Sequence, residues 1–335
     1  MSSPTYTPIE TIFDHYLMHP EVTTDSRNVP MSSLFFALKG GNFDGNKYAA
    51  AALEKGAAYV IVDDPSIAEE IGPHALLMKD GLTALQQLAN YYRHQLRMPI
   101  LAITGSNGKT TTKELIASVM SQRYKVHYTP GNFNNHIGLP LTILQIDPDV
   151  EMAILEMGAN HQGEIAELCR IAEPTHGLIT NIGEAHLEGF GGIEGVKIGK
   201  GELYDYLAAH KGIAFVNLDA EFLPEMAKRV PRRIDYVTSE VPDANEPAIE
   251  VKLLKLVPNV EVSFLNPNGE QQVAVTNLPG IHNFENIKSA VAIGRYFKVA
   301  NSEIAAGLAN YLPENNRSQR SLFKGVHFFM DAYNA

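Results

Sequence analysis

The stretch from Ile103 to Met120, ITGSNGKTTTKELIASVM, carries the pattern of an anion site. An apolar run ends in the turn Gly105-Ser106-Asn107-Gly108, and Lys109, Thr110 and Thr111 open the helix that follows. At such a place backbone N–H groups and the positive end of the helix dipole converge, which favours phosphate. Gly105 and Gly108 permit a tight turn and close approach. Lys109 can reach terminal phosphates, and the hydroxyl of Thr110 or Thr111 can hold Mg2+. The spacing departs from G-x-x-x-x-G-K-[ST], because Ile103 stands where that pattern wants its first glycine. Ile103 reads as the last apolar residue of a buried strand, with the turn shortened to begin at Gly105. The bland alternative is an ordinary strand–turn–helix with Lys109 exposed.

Other stretches carry weaker signals. Glu156 in AILEMGANHQGEIAEL closes an apolar strand, and ligands of parallel sheets bind outside such strand ends. A carboxylate there can hold the Mg2+ that bridges phosphates, or it can simply begin a loop. His186, in ITNIGEAHLEG, follows another strand end and faces the same rim, although a lone histidine is more often structural or solvated. Lys200, beside Glu202 on the next helix, reads by itself as a surface lysine, as does Lys197. In TPGNFNNHIGLP, Asn132, Asn134 and Asn135 offer neutral donors and acceptors, or a common Asn/Gly turn. In LPGIHNFENIKSAVAIG, His282, Asn283 and Asn286 fall in a helix's first turn. Asn283 and Asn286 share a face and suit the edge of an adenine, while capping by Asn283 explains them equally well.

These residues need strand ends and helix starts to hold them. Residues 1–97 mix short elements, with a helix and strand in AAAALEKGAAYVIVDD and an amphipathic helix in DGLTALQQLANYYRHQL. From Pro99 strands alternate with helices: PILAIT, KVHYT, EMAILEM, HGLITNIG and GIAFVNLD are the strands. Such alternation implies a mostly parallel sheet with helices on both faces. After residue 245 three strands around an NPNG turn imply a small antiparallel sheet, followed by helices at about 282–297 and 301–310. The expected fold is α/β, with a small N-terminal domain over 1–97, a central domain over 98–312 and a linker over 313–335.

Hydrophobic residues make up 45% of the 335, enough for a substantial core. The net charge of −11 argues against a nucleic-acid partner. Cys169 is the single cysteine, which excludes an intrachain disulfide and fits a cytoplasmic protein. No basic-then-apolar leader and no run of about 20 apolar residues is present, so membrane insertion is not expected.

In order and spacing, these motifs resemble the Mur ligase family of ATP-dependent amide ligases, with folylpolyglutamate synthases as relatives. The resemblance covers essentially the whole chain. TGSNGKTT, with its short turn, resembles the family's nucleotide loop. TTDSRNVPMSSLFFALKGGNFDGNKYAAAALEKGAAYVIVD resembles the family's UDP-binding domain, which implies one over 1–97 and a P-loop ATPase-like Mur ligase domain over 98–312. MGANHQGEIAEL and AHLEGFGGIEGVKIGKGELY are most similar to the member that joins D-alanyl-D-alanine to UDP-N-acetylmuramoyl-tripeptide in peptidoglycan precursor synthesis. The resemblance implies ATP and two Mg2+ ions as cofactors, and a monomer.

Residue by residue, it implies ATP contacts at Gly105, Ser106, Asn107, Gly108, Lys109, Thr110, Thr111, Asn283 and Asn286. Thr110 and Glu156 would serve one ion. Lys200, carbamylated, would hold the second with His186. Lys109, Glu156, His186 and Lys200 are the catalytic set. Ser26 and Arg27 would take the nucleotide-sugar end, with Asn134 and Asn135 also toward the UDP substrate. Arg317 and Asp331 match hinge-side ATP contacts. The family has a third, C-terminal domain that binds the incoming amine, and MDAYNA resembles the hinge into it. The 335-residue chain is therefore expected to bind UDP-tripeptide weakly and make no amide alone. Rival readings are a ligase adding one amino acid, a folylpolyglutamate synthase (which lacks a counterpart of the N-terminal domain), a small-molecule kinase, and a non-catalytic UDP-sugar-binding module.

Overall fold

The structure, a computed structural model, describes residues 4–184, 186–239, 248–265, 269–313, 319–323 and 326–330. The chain begins with α1 (Ile9–Met18), β1 (Val22–Thr23), β2 (Leu34–Phe36), β3 (Lys39–Gly40), β4 (Phe43–Asp44) and α2 (Ala49–Glu54). Next come β5 (Tyr59–Val62), α3 (Pro65–Ile71), β6 (Ala75–Leu77) and α4 (Gly81–Arg93). The alternating region holds β7 (Ile100–Thr104), α5 (Lys109–Met120), β8 (Val126–Tyr128), α6 (Gly138–Leu144), β9 (Met152–Glu156), α7 (Glu164–Ala172) and β10 (His176–Ile179). It continues through α8 (Leu187–Phe190), α9 (Ile193–Ala209), β11 (Ile213–Asn217), α10 (Leu223–Met226), β12 (Arg233–Val237) and β13 (Ile249–Glu250). Last are β14 (Lys252–Lys255), β15 (Glu261–Leu265), β16 (Gln271–Val275), α11 (Ile281–Tyr296), α12 (Asn301–Asn310), β17 (Gln319–Phe323) and β18 (Val326–Met330).

Two compact units result. The first comprises Met1–Arg97, Thr129–Pro148 and Glu167–Glu173; the second comprises Met98–Tyr128, Asp149–Ala166 and Pro174–Ala335. In the first unit β1, β2, β5 and β6 form a parallel sheet in the order β1-β2-β5-β6. Its core includes Phe35, Ala37, Ala49, Ala52, Val60 and Val62. Local chemistry starts its helices. Asp64 accepts from the Ser66 amide ahead of Pro65, and Asp80 accepts from the Thr83 amide at 2.7 Å, each satisfying an amide that the helix cannot.

The second unit is built on a seven-stranded parallel sheet in the order β13-β12-β11-β10-β7-β9-β8. The apolar pattern points to a series ending at GIAFVNLD, but β12 and β13 extend the sheet. β12 carries Arg233 and Asp235, paired at 3.4 Å, so its pattern is broken by charge, and β13 spans two residues. Helices cover both faces. Gly177 of β10 lies against Leu203 and Leu207 of α9, while its neighbour Leu178 joins a core with Leu115, Ile116, Phe284 and Ile287 from α5 and α11. Alternate residues of a strand point to opposite faces, so α9 packs on one side and α5 and α11 on the other. β14, β15 and β16 form the expected antiparallel sheet; the NPN of its turn lies outside the described residues. From β7 the chain runs to β8 and β9 on one side, and later to β10 through β13 on the other. The strand order therefore reverses at β7, and ligands of open α/β sheets bind outside the strand ends at such a reversal.

Candidate active site

β7 brings five buried residues to the rim, and the turn after it depends on two glycines. Gly105 has φ +142°, and a Cβ there would stand 2.1 Å from Thr180 Oγ1. Gly108, at φ +77°, precedes α5, and a Cβ there would stand 2.7 Å from Asn286 Oδ1. No other residue type fits both conformation and space. The segment after β10 pins the turn. Ser106 N donates to Asn181 O and Asn107 N to Asn181 Oδ1, both at 3.0 Å, and Thr180 Oγ1 donates to Asn107 O at 2.6 Å. Ser106 Oγ accepts from Gly183 N and donates to Gly183 O. Ser106 and Asn107 thus act first as the frame of the loop. The first-turn amides of α5 have no acceptor within the helix. Lys109 folds back, its Nζ donating to Gly105 O at 2.8 Å and Ser106 O at 3.1 Å. Thr110 is buried.

Lysine is almost never fully buried unless paired, yet Lys113, Lys200 and Lys288 are. Lys288, on α11, donates to Asp219 Oδ2 at 2.5 Å and Thr238 Oγ1 at 3.0 Å, with Glu285 Oε2 at 3.0 Å. Tight carboxylate partners give it a structural part: it fastens α11 to the ends of β11 and β12. Lys200, on α9, donates to the carbonyl of Ala159 at 2.9 Å and lies 5.0 Å from the Phe190 ring centroid. Burial pushes its ammonium down to about 7, aided by the positive charge of Lys109 and opposed by Glu164 and Glu202. A near-neutral lysine is a nucleophile at physiological pH. Glu202 reaches the start of α7 and accepts from Gly163 N and Ala166 N. One helix, α9, therefore holds the segment after β9 at both ends.

Glu156 is the last residue of β9, in register with Ile103 of β7, and is buried. Lys113, one turn into α5, lies 3.8 Å from Glu156 Oε2. His186 is exposed, in a left-handed conformation at φ 57°, and precedes α8. Among the described residues no three His, Cys, Asp or Glu side chains converge as a ligand cluster.

Asn283 does not cap α11. The N-cap is Gly280, and Asn283 Nδ2 donates back to Pro279 O at 2.7 Å. Asn286 accepts from Thr112 Oγ1 at 3.0 Å, and its amide points to Asn283 Oδ1 at 3.4 Å. Asn286 ties α11 to α5 beside Gly108, and Asn283 buttresses it from within α11. Arg317 and Asp331 lie outside the described residues.

The first unit has its own polar rim. Arg27 binds Asp25 through two bonds of 2.9 Å, and the guanidinium holds that carboxyl at about 2. Ser26 O accepts from Lys55 Nζ. After β2, Lys39 pairs with Asp63 at 2.6 Å, and Asn46 donates to the same carboxylate at 2.7 Å. Sequence reading did not single out Lys39 or Asn46; the signal was there in GGNFDGN, where Gly45 sits against the Leu38 backbone. Asn134 and Asn135 also belong to this unit. Asn135 Oδ1 accepts from Ile137 N and Gly138 N, so it starts α6.

Comparison with known proteins gives the arrangement a lineage. The model of the Mur ligase middle domain matches residues 103–294, and that of the Mur ligase family catalytic domain matches 20–93. The UDP-N-acetylmuramoyl-tripeptide–D-alanyl-D-alanine ligase of Bacillus subtilis is 37% identical over 318 residues, covering 94% of this chain and 67% of its own. A crystal structure of MurF from Acinetobacter baumannii superposes with a TM-score of 0.82 at 31% identity, covering 94% of this chain and 68% of that one. MurF ligase from Thermotoga maritima in complex with ADP gives 0.78 at 27%, covering 95% and 72%. The chain spans about two thirds of the length of the curated relatives it matches.

Proposed function

The chain belongs to the Mur ligase family, and on that premise we propose that it serves the ATP-dependent addition of D-alanyl-D-alanine to UDP-N-acetylmuramoyl-tripeptide. The observation that carries this reading is the convergence on one sheet rim of the Gly105–Lys109 loop, the buried carboxylate of Glu156 and a buried lysine poised near neutrality. We place the reaction in the cytoplasm of a cell building peptidoglycan, carried out by a monomer. Among the described residues no helix is long and apolar enough to cross a membrane.

The terminal carboxylate of the tripeptide attacks the γ-phosphorus of ATP. A P–O bond forms, the bond to ADP breaks, and an acyl phosphate results. The amine of D-alanyl-D-alanine then attacks the acyl carbon. The new C–N bond replaces the C–O bond to phosphate, which leaves with its electron pair, and the nitrogen sheds a proton. The protein's tasks are positioning and charge stabilisation. Lys109 exchanges its loop carbonyls for terminal phosphate oxygens, and the α5 amides bind the remainder. Thr110 and Glu156 offer the hard oxygen donors that suit Mg2+ and would hold one ion, which supplies charge neutralisation on the phosphates when bound. The neutral amine of Lys200 would attack CO2: the N–C bond forms as one C=O π bond opens, its electron pair passes to oxygen, and the nitrogen loses a proton to solvent. The resulting carbamate, with His186, would supply donors for a second ion. Asn283 and Asn286 set the nucleotide end, and Ser26 and Arg27 take the nucleotide-sugar end, with Lys39 on the same rim.

ATP cleavage by the full-length enzyme, measured with the acid, the amine and both together, tests the reading. Turnover to phosphate and amide that needs both supports it. Turnover needing one phosphoryl acceptor and no amine would make the chain a kinase. Lys200→Ala is expected to lose activity and regain part of it with added short carboxylates. Full activity without them would remove Lys200 from the site.

A further inference from the structure

Lys113 has no part in the mechanism above, yet it is 1% exposed and sits one helical turn beyond Lys109. Residues four apart share a helix face, so α5 presents both lysines to one side. Lys109 serves the loop. Lys113 lies between two carboxylates, 3.8 Å from Glu156 Oε2 and 3.9 Å from Glu114 Oε1, and 5.7 Å from the ring centroid of Tyr128. These are ion-pair distances, longer than the 2.7–2.9 Å of a charge-assisted hydrogen bond. Lys288 shows the contrast, with a carboxylate oxygen at 2.5 Å.

A carboxylate buried as deeply as Glu156 needs an opposite charge beside it. Before a metal arrives, Lys113 is that charge. After it arrives, the ammonium and the ion are like charges competing for one carboxylate. Glu114, anchored through its other oxygen by the Tyr311 hydroxyl at 2.8 Å, gives Lys113 a second partner. We propose that Lys113 is a positioning residue, a built-in counter-ion that holds the Glu156 carboxylate in the metal-free protein and yields it to a divalent cation. This rests on the assignment of Glu156 as a metal ligand.

Such coupling is reciprocal: an ion that must displace Lys113 binds more weakly than one that need not. The nucleotide-free chain is titrated with Mg2+ alone while its unfolding midpoint is followed. Lys113→Gln is expected to be less stable than the parent without Mg2+, to gain more from it, and to reach half its gain at roughly fivefold lower Mg2+ or less. Lys113→Arg, which keeps the charge, is expected to titrate like the parent. General damage to packing would not tighten Mg2+ binding. A Lys113→Gln chain that folds only with Mg2+ present supports the inference in the same sense. A gain equal to the parent's, or a variant that Mg2+ does not recover, overturns it while the metal assignment stands. Glu156→Gln separates the two ideas: if it keeps the parent's Mg2+ gain, Glu156 is not a ligand and both fall.

Discussion

The two ends of the seven-stranded sheet both bury a titratable group, but in opposite company. At the N-terminal end His176 opens β10 among the rings of Phe215, Tyr296 and Phe297, with centroids 5.1–6.1 Å away. Its ring nitrogens meet two hydroxyls, Thr175 Oγ1 at 2.9 Å and Tyr296 OH at 3.3 Å. Burial pushes the imidazole down to about 4, so it stays neutral at pH 7. At the C-terminal end Glu156 and Lys113 are buried as a charged pair, Lys200 lies close to Lys109 in electrostatic terms, and two glycines hold positive φ. Rings and hydroxyls suit a group that stays neutral at pH 7. Buried charges and strained turns are stable there only because each is held from several sides, and such features cluster at functional sites. Under the proposed function, the difference separates residues kept for stability from residues kept for chemistry within one sheet.

That separation can be broken by experiment. The largest effect is expected at Lys109→Ala, which should cut ATP turnover by the full-length enzyme by about 10²–10³-fold and move the unfolding midpoint little. A collapse of stability with turnover retained would reverse the assignment. His176 should act in the other direction. Its folded value of about 4 lies below the unfolded 6.5, so the unfolded chain binds the extra proton. The stability is present in full above about pH 6.5, falls as pH falls, and is lost by about pH 4, a total of roughly 3 kcal/mol. Urea unfolding across that range checks it. His176→Gln should flatten the dependence and leave ATP binding at pH 7 unchanged. Gly105→Ala should touch both properties, costing about 1–3 kcal/mol of stability and weakening nucleotide binding, because its Cβ would displace Thr180 from the loop. The smallest effect on stability is expected for the exposed Arg27→Ala. Calorimetry with the UDP-tripeptide should nonetheless show weaker binding.

The parts of this site that lie close together in sequence were legible. Gly105 to Thr111 are consecutive, β7 is an uninterrupted apolar run, and Glu156 closes another, so strand, turn and helix could be placed directly. The pairing of charges was not legible. Lys288 meets Asp219 across 69 residues and Thr238 across 50, and Asn286 meets Thr112 across 174. A lysine in a helix looks solvated until the strands that enclose it are known, so Lys113 passed unnoticed beside Lys109. Likewise the asparagines at 134 and 135 read as a polar loop, and nothing local shows that 129–148 packs with the first unit. β12 was hidden by its own Arg233 and Asp235.

The fold-back of Lys109 onto the carbonyls of Gly105 and Ser106 has a consequence for what the loop will accept. Under the proposed function, an arriving anion would have to displace the carbonyl contacts that Lys109 already makes. A lone inorganic phosphate brings one group to that exchange. A triphosphate brings several, and can engage the helix amides before the lysine lets go. Under the proposed function, the loop would therefore favour a polyphosphate over a lone phosphate.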